Sequence, residues 1–117
     1  MRSAWWCAAV AAFLVSAVPA TASEVTVQGE LVEISCAMTK GPQGKGQGHS
    51  ACALSCARQG EPMGVLTADA VYEITGDFTS GNNARLLDFI AKTVTVTGEL
   101  RERDGKRLLN VKTIRAN

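Results

Sequence analysis

Three cysteines and the only histidine of the chain lie close together in the sequence. His49, Cys52 and Cys56 are spaced i, i+3 and i+7, so on a helix they project within an arc of about 60°. Cys36 precedes them across a glycine-rich stretch whose backbone freedom lets the chain fold back. Three thiolates and one imidazole suit tetrahedral zinc or low-coordinate copper(I). The predicted metal ligands are Cys36, His49, Cys52 and Cys56.

The metal and its role are left open by these residue types. A closed four-ligand zinc site would be structural, whereas an exported compartment favours copper, for which Met38 and Met63 offer thioether ligands near the cluster. Methionines near a core more often pack than bind metal. An iron–sulfur cluster on the same four ligands is a further alternative that requires dedicated assembly.

Two other interpretations of the cysteines compete with the metal site. A disulfide from Cys36 to Cys52 or Cys56 would contribute roughly 3 kcal/mol, but it leaves one thiol over and gives His49 no role. Thiol redox chemistry is the third interpretation, because Cys52 would lie in the first turn of a helix, where the helix dipole favours a thiolate. The spacing to Cys56 is one residue longer than in the usual redox pair.

The first 22 residues are predicted to form a cleaved export signal. Arg2 supplies a positive charge, residues 4–18 form an apolar run, and Ala20-Thr21-Ala22 has the small-x-small pattern of a cleavage site. The run is too short for a good membrane span, and a retained anchor is the alternative. We therefore expect a periplasmic or secreted protein whose residues 23–117 form one domain, and we expect Cys7 to leave with the signal.

The predicted mature chain is neutral and carries no recognisable catalytic motif. The full chain has a formal net charge of +1, and loss of Arg2 brings it to about zero. Nucleic acids and anionic membranes require a basic surface, so we expect neither, and no stable membrane insertion after cleavage. The carboxylates are scattered, and the one histidine lies among the cysteines, so no catalytic triad can be assigned. We predict a protein that is not an enzyme and whose partner, if it has one, is another exported protein.

Alternating apolar residues predict five β-strands, over residues 25–36, 63–67, 71–75, 93–101 and 106–115. In the first strand the apolar residues occupy odd-numbered positions up to Leu31 and even-numbered positions from Val32 on. This switch in parity, between Gly29 and Val32, indicates a strand shared by two halves of a barrel. Helices are predicted over residues 50–59, capped by Ser50, and over residues 83–91. Five strands with a helix between the third and fourth predict an OB-like Greek-key barrel. The short Cys-rich helix lies in an insertion, residues 37–62, after strand 1; an antiparallel sandwich is the alternative fold.

The insertion resembles that of a group of small exported bacterial proteins with an OB-like barrel. The shared pattern is Cys…Gly-x-x-His-x-x-Cys-Ala-x-x-Cys-Ala-x-x-Gly-x-Pro, and the likeness covers most of the mature chain. Here the positions are Cys36, Gly46, His49, Cys52, Ala53, Cys56, Ala57, Gly60 and Pro62. The resemblance implies the barrel and the importance of the cluster, and it implies no particular reaction.

Overall fold

The computed structural model describes residues 11–14 and 23–117. The predicted export signal, with its cleavage site and Cys7, lies almost entirely outside these residues. Within the part of the chain that is described, no helix combines the length and the apolar character needed to cross a membrane.

Five strands form a closed barrel. The strands are β1 (Ser23–Glu33), β2 (Met63–Leu66), β3 (Val71–Thr75), β4 (Thr93–Arg103) and β5 (Lys106–Ala116). Their order around the barrel is β1-β2-β3-β5-β4, and β4 pairs back to β1. The β3–β5 pair is parallel and the other pairs are antiparallel. The predicted five-stranded barrel is thus confirmed, and it is consistent with an OB-like fold.

The first strand belongs to both halves of the barrel, as its parity switch predicts. Residues 23–30 pair with β4, and residues 30–33 pair with β2. Gly29 lies at this changeover, where a Cβ atom would collide with the Leu66 carbonyl oxygen of β2. Glycine therefore permits the close approach of the two backbones. The strand ends at Glu33, three residues earlier than predicted.

One hydrophobic core fills the barrel and extends beneath the insertion. Val94 and Val96 of β4 and Leu109 and Val111 of β5 belong to it, whereas Leu100 is only half-buried. The largest fully buried apolar side chains are those of Leu31, Met63, Leu86, Leu109, Val65, Val94 and Val96. Ala53 and Ala57 of the insertion are also buried in this core, so the inserted segment packs directly on the barrel.

Within residues 23–117, three short helices lie outside the barrel: α1 (Ile34–Lys40), α2 (Ser50–Arg58) and α3 (Ser80–Asn83). The second helix confirms the helix predicted over residues 50–59. Ser50 is its first residue rather than its cap, because the Ser50 hydroxyl donates to the Gln47 carbonyl oxygen at 2.8 Å instead of capping α2. The first helix was not predicted, and Cys36 lies on it instead of at the end of β1.

The helix predicted over residues 83–91 is wrong in its placement. Between β3 and β4 the chain forms α3, flanked by 3-10 turns at Asp77–Thr79 and Leu87–Phe89. Asn82, Asn83 and Ala91 have φ values of 55°, 62° and 63°, which a continuous right-handed helix excludes.

Asn83 provides the physical reason for this difference. Its buried side-chain amide donates to the carbonyl oxygens of Ala57 and Glu61, both at 2.9 Å. Asn83 adds a second donor to the Ala57 carbonyl, which also accepts from the Gly60 N–H, and joins the last turn of α2 to the segment that follows it. These contacts hold Asn83 at a positive φ and so exclude a regular helix there.

We expect Asn83→Ala to destabilise the protein by about 2 kcal/mol more than Asn82→Ala, because it removes two side-chain hydrogen bonds that contribute about 1 kcal/mol each. Both asparagines have positive φ, so the two variants share the backbone cost of alanine in this region, and the exposed Asn82 is a matched control. Urea denaturation measures the difference. Equal losses of stability would contradict this role for the Asn83 amide.

Candidate metal centre

The turn from β1 into α1 is fixed by Glu33, which is fully buried. Its carboxylate accepts hydrogen bonds from the backbone N–H groups of Ser35 at 3.0 Å and Cys36 at 2.8 Å. The Ser35 hydroxyl also contacts both carboxylate oxygens, at 2.8 and 2.9 Å. A helix start leaves such N–H groups unpaired, so this cap ends the strand and places Cys36 in the first turn of α1.

The same contacts govern the ionisation of Glu33 and Cys36. Burial raises the pKa of Glu33, but hydrogen bonds from Cys36 and Ser35 outweigh burial and lower this pKa below its usual value. A hydrogen bond to the Glu33 carboxylate, together with burial and the negative charge of that carboxylate, raises the pKa of the Cys36 thiol to about 12. In the protein alone Cys36 is therefore a protonated thiol beside a carboxylate.

The glycine-rich segment folds back onto α1. It contains 3-10 turns at Gly41–Gly44 and Gln47–His49. Gly44 is buried, and a Cβ atom there would overlap the Cys36 carbonyl oxygen. The return of the loop to Cys36 therefore depends on glycine at this position.

Two further hydrogen bonds attach this segment to the barrel. The Gly46 N–H donates to the Glu30 carboxylate at 2.8 Å, and the Gln47 side-chain amide donates to the Ala91 carbonyl oxygen at 3.0 Å. They fix the chain immediately before α2, so His49 lies at the start of that helix and next to Cys36.

The ligand atoms fall into two groups that share Cys36. In the first group the sulfur atoms of Cys36 and Cys52 and a ring nitrogen of His49 all lie within 4.8 Å of one another. In the second group the sulfur atoms of Cys36 and Cys56 and a Glu33 carboxylate oxygen lie within the same distance. The structure therefore brings three of the four predicted ligands into one group and places Cys56 next to Cys36 in the other.

The first group is the better metal site, because the second depends on Glu33. Both Glu33 oxygens already accept hydrogen bonds from the start of α1. Metal binding by this carboxylate would leave the helix uncapped and would release Cys36. Glu33 is thus a positioning residue that the sequence analysis missed, since glutamate is not among the residue types typical of a helix cap.

His49 has a buried nitrogen that lacks a protein partner. The residue is 8% exposed, and its Nε2 atom makes no hydrogen bond to any of the described residues. An unpartnered buried polar atom costs about 1–3 kcal/mol, and a neutral imidazole nitrogen is a common metal ligand. One of the two ring nitrogens lies within 4.8 Å of the Cys36 and Cys52 sulfurs. A soft metal ion bound through Nε2 would remove this cost, and the donor types present suit such an ion.

The three cysteines differ in exposure. Cys36 is buried, Cys56 is half-buried and Cys52 is exposed, and all three are free thiols. The Lys40 ammonium lies 4.0 Å from the Cys52 sulfur, a proximity that the sequence analysis did not anticipate. Because both candidate disulfide partners of Cys36 lie within 4.8 Å of its sulfur, the position of the cysteines is compatible with either chemistry.

The two candidate methionine ligands lie in different surroundings. Met63 is fully buried in the core, and Met38 is 66% exposed. Met38 lines a surface cleft with Ile34, on the opposite side of α1 from Cys36 because residues two apart on a helix point apart. Met63 therefore packs in the core, and Met38 lies away from Cys36, so neither placement favours a ligand role.

No known protein-family model matches this chain, and no match was found among curated proteins or among solved structures. The resemblance to small exported barrel proteins therefore stays a prediction that rests on the motif around the cluster.

The exposure of the three cysteines and the raised pKa of Cys36 predict an order of thiol reactivity in the protein without added metal. Iodoacetamide at pH 8 should modify Cys52 first, then Cys56, and Cys36 much more slowly, because a buried thiol with a pKa of about 12 forms little thiolate. Mass spectrometry of tryptic peptides gives the three rates. A Cys36 rate equal to that of Cys52 would contradict the buried, protonated state.

Gly44→Ala tests the contact that returns the loop to α1. We expect a loss of about 1–3 kcal/mol in the free energy of unfolding, because the added methyl group overpacks the Cys36 backbone. Gly48→Ala is the matched control, since a Cβ atom at Gly48 would meet no other atom within 4 Å. If urea denaturation shows equal stability for the two variants, the loop does not need glycine at this contact.

Proposed function

We propose that this protein is an exported barrel that binds one soft metal ion, copper(I) or zinc, through Cys36, His49 and Cys52. The observation that carries the proposal is the buried His49 Nε2, which lacks a partner among the described residues in a residue whose ring lies within 4.8 Å of two cysteine sulfurs. Cys56 is within reach of Cys36 and can complete a four-ligand set for zinc.

The protein acts in metal handling or as a metal-stabilised binding module, and it is not an enzyme. Handling is supported by the exposed Cys52, because closed structural sites are usually shielded from solvent. The strand order β1-β2-β3-β5-β4 with a parallel β3–β5 pair supports an OB-like Greek-key barrel. The signal pattern in residues 1–22 supports export. Because an exported protein meets other exported proteins, the expected partner is one of them.

A disulfide-stapled interaction module is the second candidate function. It is favoured by a cleft of about 310 Å³ between α1, β3 and the β4–β5 hairpin, since OB folds often bind ligands at such a face. The cleft is lined by Ile34, Met38, Val71, Glu73, Gly105, Lys106 and Arg107. In this case a Cys36 disulfide would fix α1, and the partner would be a protein or a glycan. A thiol redox protein is the third candidate.

The metal content of the native protein tests the proposal. We expect mature protein purified from its own compartment to contain one copper or zinc ion per chain by elemental analysis. A chelator should then increase the number of titratable thiols, because the ion holds them as thiolates. A metal-free protein with a single titratable thiol would instead support the disulfide.

Ligand variants separate the three-ligand group from a closed four-ligand site. Cys36→Ser, His49→Gln and Cys52→Ser should each weaken copper(I) binding by about 100-fold or more, since even residues that only orient metal ligands contribute about 10–100-fold. Cys56→Ser should weaken binding by less than about tenfold, because Cys56 lies outside the first group. Competition with a chromogenic chelator measures the affinities. An equal loss in Cys56→Ser would indicate four ligands, and unchanged affinity in all four variants would exclude this site.

A further inference from the structure

We infer that Cys52 is the ligand through which copper(I) enters and leaves the site, and that Lys40 attracts anionic donors and acceptors of copper(I) to it. The inference rests on the proposed function and goes further, because it assigns a route and a charge class of exchange partner.

The three ligands of the first group differ in accessibility. Cys36 is 7% exposed and His49 is 8% exposed, whereas Cys52 is open to solvent. An incoming ligand can therefore approach the ion only on the Cys52 side.

The two buried ligands are also the more firmly held. The Glu33 cap and the Gly44 contact fix the backbone of Cys36. His49 follows a turn in which its own N–H donates to the Gly46 carbonyl oxygen at 3.1 Å. Cys52 has an exposed side chain on the surface of α2, so it can leave the ion without disturbing the core.

Lys40 provides the positive charge at this opening. It lies one turn after Cys36 on α1, so both side chains are on the same face of the helix. Its ammonium group is 4.0 Å from the Cys52 sulfur, and it forms no salt bridge with any of the described acidic residues. Its charge is therefore available to an anion that approaches Cys52.

Copper(I) in solution with thiols is held by two thiolates, and such a complex is a net anion. A cation at the entrance raises the local concentration of an anionic partner and its rate of association. Apolar or acidic side chains beside Cys52 would not attract such an anionic complex.

The exchange step needs no oxidant or reductant. A donor atom of the acceptor forms a bond to copper(I) while the bond from copper(I) to the Cys52 sulfur breaks. The metal remains copper(I), and both electrons of the broken bond stay on the sulfur. Cys52 leaves as a thiolate beside the Lys40 ammonium; uptake of copper(I) is the reverse.

Two chelators with the same phenanthroline donors but different charges test the role of Lys40. The mature chain, loaded with copper(I), is mixed by stopped flow with dianionic bathocuproine disulfonate or with neutral neocuproine. We expect Lys40→Glu to slow transfer to the dianion by about tenfold at low salt. The effect should shrink at high salt, and transfer to the neutral chelator should stay within about twofold of the wild type, since the charge effect is absent.

Two variants control for structural effects of the substitution. Lys45→Glu changes an exposed lysine of the same insertion and should leave both rates unchanged. Lys40→Arg should keep the fast transfer to the dianion. Equal slowing with both chelators, or no slowing with either, would overturn the role assigned to Lys40.

The role of Cys52 is tested by trapping the protein during exchange. Brief iodoacetamide treatment during transfer, followed by native mass spectrometry, should give copper-carrying chains whose modification at Cys52 increases with acceptor concentration, whereas Cys56, outside the first group, should react equally with and without acceptor. Acceptor-dependent modification at Cys36, or none at Cys52, would overturn the assignment. If the protein binds zinc but not copper(I), this inference is wrong and the proposed function is still supported. If it binds neither ion, both are contradicted.

Discussion

The buried Glu33 carboxylate is the contact on which the arrangement of the cluster depends. It has no exposure to solvent, and it accepts hydrogen bonds from the Ser35 and Cys36 N–H groups where β1 leaves its pairing with β2. Without this cap the strand would continue, and Cys36 would lie on the barrel wall, away from α2. This local set of hydrogen bonds therefore ends β1, starts α1 and places Cys36 in the candidate metal site.

One face of α2 packs against the barrel, and another carries two of the cysteines of the cluster. Ala53 and Ala57 are buried against the core, and the neighbouring positions Cys52 and Cys56 lie one turn apart beside Cys36. Asn83 holds the end of the same helix through its carbonyl groups. The barrel thus determines where α2 lies, and α2 determines where two of the thiols lie.

Local sequence patterns are sufficient to predict the five strands and α2, which follow from alternation and spacing, as does the closeness of His49 to the cysteines. They do not predict α1, because Val32, Ile34 and Cys36 continue the alternation of the strand, and the cap that ends it depends on a buried glutamate. They also do not predict the structure of residues 83–91, where the buried Asn83 bonds to the end of another helix. Such tertiary contacts leave no periodic signal.

X-ray absorption spectroscopy of the metal-loaded mature protein tests the central claim most directly, because it identifies the atoms bound to the ion. We predict sulfur neighbours together with one imidazole nitrogen, which for zinc means distances of about 2.3 Å and 2.0–2.1 Å. The imidazole contribution should disappear in His49→Gln while the sulfur contribution remains. A spectrum with only oxygen and nitrogen neighbours, or one that His49→Gln leaves unchanged, would contradict the metal site.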